Sequence, residues 1–90
     1  MKDKIQNFIK EILKNLEIPD LDFVVEHPED LKNGDYSTNV AMASAKKLKT
    51  NPKELAEKII AEMSRLNLYM IEKIQVAGAG FINFYLSREF

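Results

Sequence analysis

The stretch Ile71 to Leu86, I-E-K-I-Q-V-A-G-A-G-F-I-N-F-Y-L, constrains the fold more than any other part of the chain. It reads as two strands around Gly78-Ala79-Gly80. In the second strand Ile82, Phe84 and Leu86 alternate with Phe81, Asn83 and Tyr85, so the two sets face opposite ways. In the first strand Ile74 and Val76 share one face, and Lys73 and Gln75 the other. For the apolar rows to coincide, Val76 must lie opposite Ile82, and Ile74 opposite Phe84. That register leaves residues 78 to 80 as the loop, with Gly80 suited to a left-handed position. It also pairs Ala77 with Phe81, Gln75 with Asn83 and Lys73 with Tyr85 on the outer face. Such a face can stack on a base and hydrogen-bond its edge. It can equally be a docking surface, because an exposed aromatic row is often covered by another domain.

The rest of the chain supplies elements for this hairpin to pack on. Ile5, Phe8, Ile9, Ile12, Leu13 and Leu16 form the stripe of an amphipathic helix, with Asp3 as its expected N-cap and Ile18-Pro19 as its end. Leu21, Phe23 and Val25 alternate with polar neighbours, which predicts a half-buried strand over 21–26. His27-Pro28-Glu29-Asp30 breaks it, and a polar loop runs through Lys32-Asn33-Gly34. Asp35-Tyr36 is expected to add a short strand before Ser37-Thr38 opens a helix of small residues ending near Lys49. Asn51-Pro52-Lys53-Glu54 is a strong helix start, and Leu55, Ala56, Ile59, Ile60 and Met63 give that helix its core face. Residues 66 to 70 read as a connector into the hairpin. The expected fold is α+β in two layers: an antiparallel sheet of three to four strands with three helices on one face. Ile74, Val76, Ile82 and Phe84 should lie beneath those helices. Ser87-Arg88-Glu89-Phe90 resembles a helix cap with its helix removed, so the chain reads as one domain of a longer protein.

Composition excludes several functions. Ninety residues hold one modest core without a deep catalytic cleft. A net charge of −1 argues against strong non-specific binding to nucleic acid, though not against local contacts. There is no cysteine, and His27 is the sole histidine, so neither thiolate chemistry nor a multi-histidine metal site is available. His27 has no nucleophile nearby and reads as a surface or loop-capping residue; Glu29-Asp30 reads as solvated. No apolar run approaches membrane-spanning length, and the charged N-terminus is unlike a secretory signal, so the cytoplasm is the expected compartment. No glycine-rich phosphate loop is present, and no helix follows Gly78-Ala79-Gly80. No catalytic residue is assigned. In Gly34-Asp35-Tyr36-Ser37-Thr38-Asn39, the residues Asp35, Ser37 and Thr38 suit helix capping, and a docking or RNA-contacting loop is the alternative. Lys46-Lys47-Leu48-Lys49 is a solvated helix end or, alternatively, a phosphate-contacting patch.

Three segments at this spacing, G-D-Y-S-T-N-V-A-M-A-S-A-K-K-L, N-P-K-E-L-A-E-K-I-I and V-A-G-A-G-F-I-N-F-Y-L, closely resemble the N-terminal additional domain of arginyl-tRNA synthetases. The resemblance covers about residues 1–87, leaving 88–90 as the start of a connection to a catalytic domain. One departure is Ala79, where the family usually has proline; it should loosen the turn slightly. The resemblance implies a module that grips the outer corner of an arginine tRNA at its D-loop. It implies that the hairpin's aromatic and carboxamide, here Phe81 and Asn83, make that contact. Tyr85, Gln75 and Lys73 join the expected tRNA-binding set as their neighbours in the register. In such enzymes ATP-dependent arginine activation belongs to a class I Rossmann domain with a His-x-Gly-His signature, which is absent here. The chain is therefore expected to be non-catalytic, to need no cofactor or metal of its own, and to be a monomer whose partners are the tRNA and the enzyme's catalytic domain. No membrane partner is expected. The competing expectation is a protein-interaction domain whose outer sheet face docks on a partner or on that catalytic domain.

Overall fold

The chain begins with a helix because its apolar residues recur on one stripe. In the computed structural model, which describes residues 1–66 and 68–88, α1 spans Lys2–Asn15 and buries Ile5, Phe8, Ile9, Ile12 and Leu13. Met1, not Asp3, occupies the N-cap position; Asp3 lies in the first turn, where its charge suits the helix dipole. The helix ends before Pro19 requires it to. Glu17 adopts a left-handed φ of 58°, and the Ile18 N–H returns to the Leu13 carbonyl at 2.8 Å, which tucks Ile18 into the core.

The segment expected as a strand over 21–26 is ladder-forming only at β1, Val25–Glu26. Its alternation persists, with Val25 buried and Leu21 and Phe23 packed against the core. The Val24 N–H donates to Asn39 Oδ1 at 2.8 Å, a side chain rather than a neighbouring strand, so the ladder stops there. A short 3₁₀ turn, Leu31–Asn33, then leads to β2, Tyr36–Thr38. Ser37 and Thr38, expected to open a helix, thus belong to the sheet. Helix α2 runs Val40–Leu48; Thr38 Oγ1 accepts the Val40 N–H at 3.2 Å, a local capping contact made from the strand end. Helix α3, Pro52–Leu66, starts as its sequence requires, with Asn51 Oδ1 accepting the Lys53 and Glu54 N–H groups at 2.9 and 3.1 Å.

Strands β3, Ile71–Ala77, and β4, Phe81–Leu86, complete a four-stranded antiparallel sheet in the order β1-β2-β4-β3. Val76 lies opposite Ile82, Ile74 opposite Phe84, and Ala77 opposite Phe81, which is the register the two alternations demand. A bulge between Ile71 and Lys73 brings Ile71 opposite Leu86 and onto the core side. At the loop, Gly80 has φ 135°, and a Cβ there would lie 3.0 Å from Pro52 Cβ and 3.1 Å from Met42 Cγ. Glycine thus lets the turn close against the α2–α3 corner.

The three helices cover one face of the sheet and share one apolar cluster with it. Ile82 and Phe84, on the inner strand, are fully buried. Ile74 and Val76 are only half-buried, contrary to expectation, because β3 is an edge strand with no neighbour beyond it. Among the described residues no helix is long and apolar enough to cross a membrane. The expected connector contains Asn67, and the expected linkage at 88–90 contains Glu89 and Phe90; these lie outside the described residues.

Candidate nucleic-acid interface

The pairing registers carry one polar row straight across the outer face of the sheet. Glu26 on β1 lies opposite Ser37 on β2, Ser37 opposite Asn83 on β4, and Asn83 opposite Gln75 on β3. Four strands therefore contribute a carboxylate, a hydroxyl and two carboxamides in line. A cavity of about 200 Å³ sits over part of this row. Ser37, Asn83 and Ala77 line it from the sheet, Phe81 borders it near the hairpin turn, and Glu26, Pro28 and Asn33 close it from the other side.

Burial differs sharply between two of the residues that line it. Phe81 is 41% exposed, a large apolar ring presented to solvent. Asn83 is 4% exposed, yet none of the side-chain hydrogen bonds among the described residues involves its carboxamide. Among the described residues only Ser44 Oγ is a fully buried side-chain polar atom without a partner, so the Asn83 amide still reaches the cavity, where its donors and acceptor are open to a bound group in place of water.

The loop over the cavity is built by local chemistry. Gly34 sits at φ 93° against the β4 backbone, where a Cβ would lie 2.6 Å from the Phe84 carbonyl oxygen. No other residue fits that approach. The next N–H, from Asp35, donates to the same Phe84 carbonyl at 2.8 Å. The Asp35 carboxylate then accepts the Leu86 N–H at 2.8 Å through Oδ2, and Oδ1 pairs with Arg88 at 3.0 Å. His27 stacks on Tyr36 with ring centroids 4.4 Å apart, and its Nδ1 lies 3.0 Å from the Asp35 carbonyl oxygen. It is a loop-capping residue, as its setting in the sequence implies. The cluster Gly34 to Thr38 therefore ties a loop and a strand to β4; only Thr38 caps a helix.

The residues expected to bind tRNA are distributed unevenly. Phe81 and Asn83 meet at the cavity. Gln75 shares their row but lies exposed on the edge strand, outside the cavity lining. Lys73 and Tyr85 lie on the outer face too, also outside the lining, with Lys73 Nζ 4.4 Å from the Tyr85 ring centroid. The Tyr85 hydroxyl donates to the Lys32 carbonyl at 2.7 Å. Sequence reasoning missed Glu26, Pro28 and Asn33, and held Ser37 only within the alternative reading of residues 34–39 as an RNA-contacting loop. The parity of the short strands marks Glu26 and Ser37 as outward, but nothing local pairs them with Asn83. Asn33 before Gly34 reads only as a turn. A second recess, about 150 Å³ near Phe8, Met63 and Ile71, has only exposed polar side chains: Ser64, Glu72 and Lys73.

Comparison with known proteins places this geometry in context. The family profile described as "Arginyl tRNA synthetase N terminal domain" matches residues 1–86. An arginine–tRNA ligase of Staphylococcus carnosus is 47% identical over 74 residues, covering 82% of this chain and 13% of that protein. One from Pelodictyon phaeoclathratiforme is 52% identical over 68 residues, covering 76% of this chain and 12% of that protein. Among solved structures, the arginyl-tRNA synthetase of Plasmodium falciparum superposes with a TM-score of 0.82 at 28% identity, covering 98% of this chain and 16% of that one. That of Thermus thermophilus gives 0.74 at 27% identity, covering 97% and 14%. The chain thus spans 12 to 16% of the length of these relatives.

Proposed function

Because this chain belongs to the arginyl-tRNA synthetase N-terminal domain family, we propose that it is a tRNA-recognition module that grips the D-loop, at the outer corner of an arginine tRNA, through the cavity between Phe81 and Asn83. The observation that carries this reading is the Asn83 side chain, on a residue only 4% exposed, without a hydrogen bond among the described residues and lining a cavity beside an exposed aromatic ring. A splayed base satisfies both groups at once, with its face on the ring and its edge on the amide. Gln75 and Lys73 extend the contact along the outer face, the lysine toward phosphate. The rival reading, a protein-docking face, calls for a continuous apolar patch. The row Glu26, Ser37, Asn83 and Gln75 interrupts any such patch with polar groups.

In a synthetase carrying this domain, arginine activation by ATP takes place on a separate class I domain. The residues here do not fit ATP: the chain lacks a glycine-rich phosphate loop and the His-x-Gly-His signature. No chemical step is assigned to them, and the chain needs no cofactor or metal for the role proposed. It acts as a cytoplasmic monomer that delivers the tRNA to the catalytic domain.

The test is titration of the isotopically labelled chain with an arginine tRNA transcript, wild type beside Phe81→Ala. Loss of one base–aromatic stack corresponds to about ten- to a hundredfold weaker binding. The melting temperature should change little, since Phe81 faces solvent. Unchanged affinity, or a large drop in melting temperature, makes Phe81 a docking or core residue and ends the RNA reading.

A further inference from the structure

We propose that the loop 28–34 is the second wall of the base site, that Asn33 on it helps select the base, and that Tyr85 positions this wall rather than touching RNA. The inference rests on reading the cavity as the site of tRNA contact. Asn33 lines the cavity with Asn83 and Phe81, so a base held there has a ring beside it and carboxamides from two walls, one rigid and one on a loop. Each carboxamide offers donors and an acceptor, so together they can address more than one position of a base edge.

Polar ties hold the shape of this loop. Asp30 accepts the Lys32 N–H through Oδ1 and the Asn33 N–H through its carbonyl, each at 3.0 Å. One end is fixed where Gly34 and Asp35 meet Phe84. The middle is tied to the sheet by the Tyr85 hydroxyl, which donates to the carbonyl of Lys32, the residue just before Asn33. That hydroxyl is therefore already engaged, and the Tyr85 ring carries the Lys73 ammonium. Removing the hydroxyl frees the backbone that presents Asn33 while leaving the sheet paired.

The experiment compares Asn33→Ala, Tyr85→Phe and Phe81→Ala in this chain. Each is titrated with an arginine tRNA transcript and with transcripts carrying single D-loop substitutions, and amide hydrogen exchange is read on the free chains. Asn33→Ala should melt like wild type, bind about three- to tenfold more weakly, and discriminate less among the substituted transcripts. Tyr85→Phe should speed exchange at the Lys32, Asn33 and Gly34 amides, leave β3–β4 protection intact, and weaken binding to a similar degree. If Asn33→Ala and Tyr85→Phe bind and discriminate as wild type while Phe81→Ala weakens binding, the second wall is refuted and the base site stands. If Phe81→Ala is also without effect, both fall. Faster exchange across the whole sheet in Tyr85→Phe would make Tyr85 a general structural residue and refute its positioning role.

Discussion

Asp35 shows how one side chain can serve a fold without belonging to its core. Its carboxylate accepts a strand N–H from Leu86 and an ion pair from Arg88, and its side chain is 17% exposed. Read locally, an aspartate after a glycine is a turn or a cap. Its real partners lie some fifty residues on, beyond what a local pattern can show. Asp35→Ala leaves the part-buried Leu86 N–H without its acceptor and should cost about 1–3 kcal/mol in chemical denaturation. Asp35→Asn keeps a neutral acceptor and should lose much less, since the Arg88 pair is solvent-exposed on the arginine side. Equal losses would mean that the charge, not the acceptor, matters. Ser44 is the opposite case. It is fully buried in α2, and its Oγ has no hydrogen-bond partner. Ser44→Ala removes an unsatisfied hydroxyl and improves helix propensity, so it should be neutral or raise stability by up to about 1 kcal/mol. A measured loss would show that the hydroxyl has a partner in solution.

Among the elements, the hairpin was the most legible because both of its strands alternate, and two parities leave one register. The strand expected over 21–26 was overextended for a physical reason: alternation reports burial, and Leu21 and Phe23 are indeed partly buried, but the Val24 amide is taken by Asn39. Strand β2 was under-read because Ser and Thr are strong N-cap formers next to a helical run, although threonine suits strands equally well, and tertiary pairing with β4 decides between the two. Helix packing has a titratable tie as well. Glu62 on α3 accepts from Arg65 at 2.7 and 3.0 Å and from Asn15 at the end of α1 at 3.1 Å. The Arg65 hydrogen bond, foremost, holds the Glu62 carboxyl below its ordinary value of 4.5; desolvation opposes this, and Asn15 adds to it. A lowered folded-state value means that the stabilisation is complete above the ordinary carboxylate range and fades as pH falls through the lowered one. Thermal melts of wild type and Glu62→Gln should therefore differ by a constant amount at neutral pH and converge on acidification. A gap that widens in acid would reverse the assignment.

At the scale of the molecule, the sequence placed Phe81 and Asn83 on the correct face but not at the correct depth. Asn83 is sunk because β4 is an inner strand and the 28–34 loop folds beside its outer side, and neither fact is local. The resulting site is mostly neutral, in a chain of net charge −1 whose Lys32, Arg65 and Arg88 are already ion-paired. Binding through it should draw on stacking and hydrogen bonds more than on counterion release. Each phosphate neutralised contributes about −0.7 to −0.9 to the slope of log affinity against log salt. Lys73, with one further lysine, should give a total slope shallower than about −2. Affinity for the tRNA transcript should then fall no more than about fifteenfold between about 50 and 200 mM salt. Phe81→Ala should lower affinity at every salt concentration without changing the slope, because a stacked ring releases no counterions. Lys73→Ala should do the reverse, reducing the slope by nearly one unit with a smaller effect at high salt. A wild-type slope steeper than about −4, unchanged by Lys73→Ala, would assign the affinity to a diffuse lysine surface and remove the Phe81–Asn83 cavity from the centre of recognition.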